Sequence, residues 1–296
     1  MPQVIAVTGV TGVLGRRVVQ RLAGAADVEL RLVVRDAARA PQVPGAEVVT
    51  NPGGYADPDG LRRALSGVHT LYLVSAAEAE DRLRQHLDAV GAAAEAGVQR
   101  IVYTSFVGAH RPDSTFTLVR HHAATEQAIR DTGVRHTLLR HSMYADFVPF
   151  FATLEEGRAV IAAPADEGRT AFVSRDDLAD VGAAVLLDDS GELDGQALEV
   201  TGPEALSMAD AAAVLTEVTG RPAEFRDQTV EEAWATRRPS GHPDWEIEGW
   251  VTSYLAIAAG ELATVTDAVP RLTGHPARTV AEHLRAHPED WAHLRG

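Results

Sequence analysis

The chain contains no cysteine, which excludes disulfides, thiolate metal sites and a cysteine nucleophile. Aromatic residues make up only 5% of it, so any local cluster of them stands out. Long apolar runs are missing: GAAVLL at residues 182–187 is among the longest, far short of the roughly 20 residues a membrane span requires. Clusters of basic residues are absent as well. The 27 basic residues are outnumbered by 42 acidic ones, and a net charge of −15 repels a nucleic-acid backbone and anionic lipid alike. The opening MPQVIAVTGV shows neither a basic n-region nor a cleavage site before its apolar segment. These absences lead to the expectation of a soluble, cytoplasmic protein with no nucleic-acid or membrane partner.

What is present is ample core material. The chain has 296 residues, 45% of them hydrophobic, enough for one large domain or two at roughly 150 residues each. The first 140 residues alternate short β-branched runs with longer helical patterns. Strands are predicted at 4–8, 28–34, 47–50, 70–75, 101–105 and 136–139, and helices at 13–23, 61–65, 81–96 and 123–131. Strands apolar on both faces and separated by helices predict an α/β fold, a Rossmann-like doubly wound parallel sheet. Beyond Arg140 the pattern changes. Residues 143–151 hold three of the seven phenylalanines, and residues 234–250 hold three of the four tryptophans. The expected division is therefore a dinucleotide-binding domain at 1–140 and a smaller, interleaved substrate-binding portion at 141–296, some of whose segments return to the sheet.

The strongest chemical signal is VIAVTGVTGVLGRRVV. Gly9, Gly12 and Gly15 stand between an apolar strand and an apolar-periodic helix, the context in which such glycines carry meaning. Gly9 allows the tight turn, Gly12 lets backbone approach a pyrophosphate, and Gly15 permits close packing of helix on strand. The intervening Thr11, Val13 and Leu14 belong to the same cradle, where unpaired N–H groups and the helix dipole favour an anion. The second strand ends in LRLVVRDAARA. An acidic residue there would hold the ribose hydroxyls of NAD, whereas Arg accommodates the 2′-phosphate of NADP. Arg35 comes first after the apolar run and Arg39 follows, so NADP(H) is the expected cofactor, with Asp36 as the competing signal.

The G-x-x-G-x-x-G spacing resembles that of the extended and atypical short-chain dehydrogenases/reductases. Over nearly its whole length the chain resembles the NmrA-like group of these proteins, especially its NADPH:quinone oxidoreductase branch. The resemblance is carried by TGVTGVLG, LVVRDAARA, GVHTLYLVS with Gln85-His86, AAAEAGVQRIVYTS, ATEQAIRDTGVRHTLLR and GELATVTDAVPRLTGHPARTVAEHL. It implies that Val74, Ser75, Thr104 and Ser105 run beside the adenosine and nicotinamide-ribose portions of the cofactor. It also implies that His141, Ser142, Met143 and Tyr144 lie near the nicotinamide. Ser75 and Ser105 read equally well as strand-end caps.

Two departures matter. Where the family often has an acidic residue after the third strand, NPGGYADPDG supplies Gly54. Where active short-chain reductases carry Tyr-x-x-x-Lys, this sequence has Leu118 and His122. Reduction of a simple ketone makes a basic alkoxide, for which a positioned acid is worth about 10² to 10⁴ in rate. A quinone yields a hydroquinone anion of phenol-like pKa, near 10, and depends far less on such an acid. His122 and Tyr144 are the candidate catalytic groups. The alternative for His121 and His122 is a solvated helix face.

Phe106, Tyr144, Phe147, Phe150, Phe151, Trp245 and Trp250 are the candidate substrate contacts, with Tyr254 beside them; plain core is the competing reading. No metal site is expected, since His283 and His287 at i, i+4 lack the glutamate of H-E-x-x-H. No G-x-S-x-G elbow is present. Asp176 reads as a helix N-cap, with Asp177 near the dipole's positive end. The leading expectation is an NADPH-dependent oxidoreductase acting on a small planar aromatic or quinone-like substrate, with monomer and homodimer both open. A non-catalytic NADP(H)-sensing protein and a non-redox biosynthetic enzyme are the alternatives.

Overall fold

The computed structural model describes residues 2–111 and 113–295. Along the chain run β1 (Gln3–Val7), α1 (Val13–Leu22), β2 (Val28–Val34), β3 (Glu47–Thr50), α2 (Pro58–Ala64), β4 (Thr70–Leu73), α3 (Arg82–Glu95), β5 (Arg100–Phe106), α4 (Thr117–Asp131) and β6 (Arg135–His141). There follow α5 (Phe147–Phe150), β7 (Ala152–Glu155), β8 (Arg158–Ala163), β9 (Arg169–Thr170), α6 (Arg175–Leu187), β10 (Ala197–Val200), β11 (Leu206–Ser207), α7 (Met208–Thr219) and β12 (Ala223–Asp227). The last elements are α8 (Val230–Arg237), α9 (Asp244–Ala258), α10 (Ala268–Thr273) and α11 (Val280–Ala286).

Contacts divide the chain into two units. One comprises residues up to 106, 121–140 and 178–198; the other comprises 107–120, 141–177 and 199 onward. The first is built on a seven-stranded sheet of order β10-β6-β5-β4-β1-β2-β3. Pairings β1–β2, β1–β4, β2–β3 and β4–β5 are parallel, the order of a doubly wound Rossmann-like sheet. Burial follows strand position. All of TLYL in β4 is buried, and nearly all of RIVYTSF in β5, because helices cover both faces there. By contrast β3 ends the order and leaves Glu47, Val48 and Thr50 exposed. Leu61, Leu65, Leu71, Ala89, Ala93, Tyr103 and Ile129 belong to one core cluster of this unit.

The second unit contains a three-stranded sheet, β12-β8-β7, and a two-stranded one, β11-β9. β12 pairs parallel and β7 antiparallel with β8. Among the described residues no helix is long and apolar enough to cross a membrane.

Two local expectations need correction. Helix α4 starts at Thr117, six residues before the apolar period indicated, because buried polar residues extend its inner face. Val119, His122, Glu126 and Ile129 are all buried, so two of the four positions that mark that face are not apolar. Asp176 does not cap α6. Its own N–H is taken by Ser174 Oγ at 3.2 Å, which leaves the Asp176 carboxylate inside the first turn, 2.7 Å from His287 Nε2. Asp177, fully buried, is held by the backbone N–H and guanidinium of Arg278.

The first unit also buries a charge. Glu126, fully buried on α4, accepts two bonds from Arg140, Nε to Oε1 at 2.9 Å and Nη2 to Oε2 at 2.8 Å. Arg130 adds a third at 2.8 Å and Ser105 Oγ a fourth at 2.6 Å. Burial by itself would raise the Glu126 carboxyl, but these hydrogen bonds and the Arg140 charge outweigh it and hold the group below its ordinary value. A depressed carboxyl stabilises the fold fully above its unfolded pKa, and that stability is lost as pH falls through the folded pKa. Glu126→Gln leaves Arg140 buried opposite a neutral amide, and is expected to cost about 3–5 kcal/mol in urea unfolding at neutral pH. The penalty should shrink on acidification through the carboxylate range.

Candidate functional site

Strand β1 delivers the chain into a turn that only glycine can make. Gly9 has φ +64, and a Cβ on it would lie 2.9 Å from Val74 Cβ. The turn closes by a bond from Gly12 N–H to the Gly9 carbonyl at 3.0 Å. Gly12 then begins α1 without any side-chain cap, and the first turn carries no acidic residue. Gly15 is the tightest point of the site: a Cβ there would meet the Gly9 carbonyl oxygen at 2.4 Å. Leu14, Val18, Val19 and Leu22 bury the inner face of α1, so the helix start is fixed with its first N–H groups facing outward. Thr11 is half-buried, and Gly12 and Val13 are exposed. An uncapped helix start beside backbone with no side chains is a place where an anion binds well.

Next to this turn lies a cavity of about 390 Å³ within the first unit. Its wall comes from the ends of β1, β2 and β4, at the point where strand order reverses, where doubly wound folds bind ligands. Gly9, Thr11, Arg35, Val74 and Ser75 line it. Arg35 is exposed, and among the described residues no carboxylate or hydrogen bond engages its guanidinium. Gly54 explains how Arg35 lies across the rim. A Cβ at Gly54, whose φ is +58, would approach Arg35 Cδ to 3.2 Å. Arg39 sits on an exposed 3-10 turn, Ala37–Arg39, capped by the Asp36 carboxylate through the Ala38 N–H. One oxygen of the Asp36 carboxylate is thus engaged by backbone.

Several wall residues went unnoticed in the sequence. Tyr55 shares its hydroxyl between Thr8 Oγ1 and the Val74 carbonyl, each at 2.6 Å, tying three segments together. Burial raises its pKa above the ordinary tyrosine value. Asn51, buried, donates to the Gly54 carbonyl at 2.7 Å and so shapes the NPGG turn. The only available signal was their place in a glycine-rich turn after a strand.

The far wall, residues 74–79, is clamped from behind. The Ala76 N–H donates to His86 Nε2 at 2.9 Å, and the Ala76 carbonyl accepts from Arg82 Nε at 3.0 Å. Ser75 N–H donates to Thr104 Oγ1 at 2.8 Å. His86 therefore carries its proton on Nδ1, directed at Thr125 Oγ1 3.0 Å away. Burial and then the Arg82 charge push its pKa down to about 3, so it stays neutral.

His122 is buried in the same network. Arg82 Nη2 lies 3.0 Å from its Nε2 and Tyr103 Oη 2.9 Å from its Nδ1. Because Arg can only donate, Nε2 is an acceptor and Nδ1 holds the proton. The Phe106 ring lies 6.1 Å from the His122 ring. Ser105 spends its hydroxyl proton on Glu126, as above.

In the second unit, His141 and Ser142 are both buried, and among the described residues neither His141 ring nitrogen nor Ser142 Oγ has a hydrogen-bond partner. Burial pushes His141 down to about 3. Met143 is buried as well. Tyr144 follows, with Arg175 4.4 Å above its ring centroid and Phe147 at 5.3 Å. Phe147 neighbours Phe150 at 6.4 Å and Phe151 at 6.0 Å, and Phe151 reaches Tyr254 at 5.2 Å. Phe150 is 73% exposed. These rings form one chain. Trp250 lies elsewhere, packed with Trp234 in a separate cluster and 4.8 Å from the His242 ring. Trp245 is half-buried on the same helix, without a ring contact among those described.

Comparison with known proteins identifies the family. The model of the NmrA-like family matches residues 1–239. An NAD(P)H azoreductase from Xenophilus azovorans is 32% identical over 283 residues, covering 96% of this chain and 97% of its own. An NADPH-dependent quinone oxidoreductase from Escherichia coli, solved with NADPH, superposes with a TM-score of 0.84 at 30% identity, covering 96% and 99% of the two chains. The Citrobacter sp. triphenylmethane reductase solved with NADP(H) gives 0.83 at 30% identity, covering 95% and 99%. The chain belongs to the NmrA-like family.

Proposed function

We propose that this protein is an NADPH-dependent reductase of quinones or similarly conjugated, planar acceptors. The observation that carries the reading is the uncapped start of α1 beside a cavity whose rim holds Arg35. The cradle fits a dinucleotide: α1 starts without a side-chain cap at the exposed Gly12, the close approach at Gly9 and Gly15 holds that start against β1, and the arginine suits a 2′-phosphate. Relatives of similar length act with NAD(P)H or were solved with NADPH. When bound, NADPH supplies the hydride.

The chain's own residues then divide the work. The glycine turn and first N–H groups of α1 hold the pyrophosphate, with Thr11, Gly12, Val13 and Leu14 in the cradle. Arg35 holds the 2′-phosphate, with Arg39 strengthening the local positive field. Val74, Ser75 and Thr104 keep the wall at residues 74–79 in place. We assign His122 a positioning role: protonating its Nε2 would turn a donor toward the Arg82 cation, which makes it a poor proton relay. Tyr144, Phe147 and Phe151 present aromatic faces to a flat acceptor, with Arg175 polarising the first of them. His141, Ser142 and Met143 belong to the nicotinamide end, and the residues beyond 140 mainly to substrate binding.

No lysine occurs anywhere in the chain, so all 27 basic residues are arginine and no other segment can supply the missing Tyr–Lys pair. Acceptors that yield a stabilised anion are therefore favoured over plain ketones. Following nicotinamide absorbance with a panel of quinones, enones and simple ketones tests this directly. Turnover with quinones and not with ketones is expected; tight NADPH binding without turnover on any acceptor would refute it.

Cofactor choice gives two further expectations. Arg35→Ala removes a charge-assisted bond and should weaken NADPH by about tenfold or more while altering NADH by less than about threefold. Gly54→Asp places a carboxylate beside Arg35 and should narrow the NADPH/NADH preference by about tenfold, measured as the ratio of kcat/KM values. Equal losses for both cofactors would remove Arg35 from this role.

A further inference from the structure

We propose that Asp176, His283, His287 and Asp290 form a binding site for a divalent transition-metal ion of the zinc class, lying within the second unit and independent of the reductase reading. His283 and His287 stand one turn apart at α11, with ring centroids 4.7 Å apart. One ligand atom from each of Asp176, His283 and His287 falls within 4.8 Å of the others. His287 Nε2 lies 2.7 Å from Asp176 Oδ2, and His283 Nε2 lies 3.2 Å from Asp290 Oδ2. Donors around a tetrahedral zinc at about 2.05 Å are roughly 3.3 Å apart, so small side-chain shifts would let the Asp176, His283 and His287 atoms converge on one ion, with Asp290, already beside His283, turning in as the fourth ligand.

The outer partners have the arrangement a metal site requires. His283 Nδ1 is 2.8 Å from Ser174 Oγ, and His287 Nδ1 is 3.1 Å from Glu289 Oε1. Both rings are thus held at Nδ1, and both turn Nε2 toward a carboxylate. This is how histidine ligands are oriented and made more basic. Three carboxylates, those of Asp176, Asp290 and Glu289, outnumber the two imidazoles, so the cluster is net negative, which favours a dication. Asp146, close enough to feel both His283 and Asp290, is itself paired with Arg175. Two nitrogens and two oxygens suit Zn²⁺ or Co²⁺ better than Mg²⁺ or Ca²⁺, which favour all-oxygen shells. The ion would clip the segment after α11 to the first turn of α6.

The test uses the untagged full chain, stripped with chelator and titrated with Co²⁺ and Zn²⁺ alone. One equivalent of Co²⁺ is expected to give the visible bands of a tetrahedral ion, displaced by Zn²⁺, and Zn²⁺ should raise the melting temperature. His287→Gln and Asp176→Asn, each checked for folding by circular dichroism, should weaken binding by more than about a hundredfold, since each removes a direct ligand. Glu289→Gln, at a position 67% exposed, should weaken it by about tenfold through the lost orienting contact, and keeps the test valid if the other variants fail to fold. Absence of saturable binding, or binding unchanged in these variants, would overturn the site and leave two imidazole–carboxylate pairs.

Discussion

The contact between Gly15 and the Gly9 carbonyl constrains everything that follows it. Bringing the start of α1 so close to the end of β1 leaves no room for a Cβ, and in return it directs a row of unsatisfied N–H groups at one point in space. The parallel strands β1, β2 and β4 end around that point. Val74 closes on Gly9 from one side, while Arg35 is drawn over Gly54 on the other. Anion binding, cavity shape and the placement of a cation at the rim all follow from one glycine-only approach.

Behind this cradle the protein invests in buried polar groups, and their arrangement decides what chemistry the first unit can perform. Arg82, His86, Tyr103, His122 and Thr125 form one hydrogen-bonded network that holds the wall of the cavity. Glu126 gathers Arg140, Arg130 and Ser105. Groups engaged in this way give rigidity and fixed tautomers, and they are poorly suited to exchanging protons with a substrate. A scaffold that positions a dinucleotide well but supplies little acid catalysis matches acceptors whose reduced form carries its own charge comfortably.

How much of this was readable beforehand varied with the kind of residue. The alternation of apolar strands and helices, and three glycines in register, indicated the sheet and the turn, because period and backbone geometry are local properties. The position of Arg35 on the cavity rim follows from its place directly after β2. The start of α4 was misjudged because its buried face is partly His and Glu, which periodicity counts as surface. Asp176 was misassigned because Ser174, two residues earlier, captures the N–H that a cap would take. Tyr55 and the Ala76 clamp depend on partners 6 to 47 residues away, and Asn51 on turn shape, and nothing in local spacing reveals such pairs. Sequence density groups the tryptophans, whereas Trp250 and Trp234 pack on the cluster of Ala233, Ile247 and Val251, and it is Tyr254, one turn on from Trp250, that meets Phe151.

Cofactor choice depends on the rim beside the glycine turn recognising a 2′-phosphate. Calorimetric titration of the intact chain with 2′,5′-ADP against 5′-ADP isolates that recognition from nicotinamide and substrate. 2′,5′-ADP is expected to bind at least about tenfold more tightly, the value of one charge-assisted bond, and to compete with NADPH. Equal affinity for the two nucleotides, or no competition with NADPH, would contradict it.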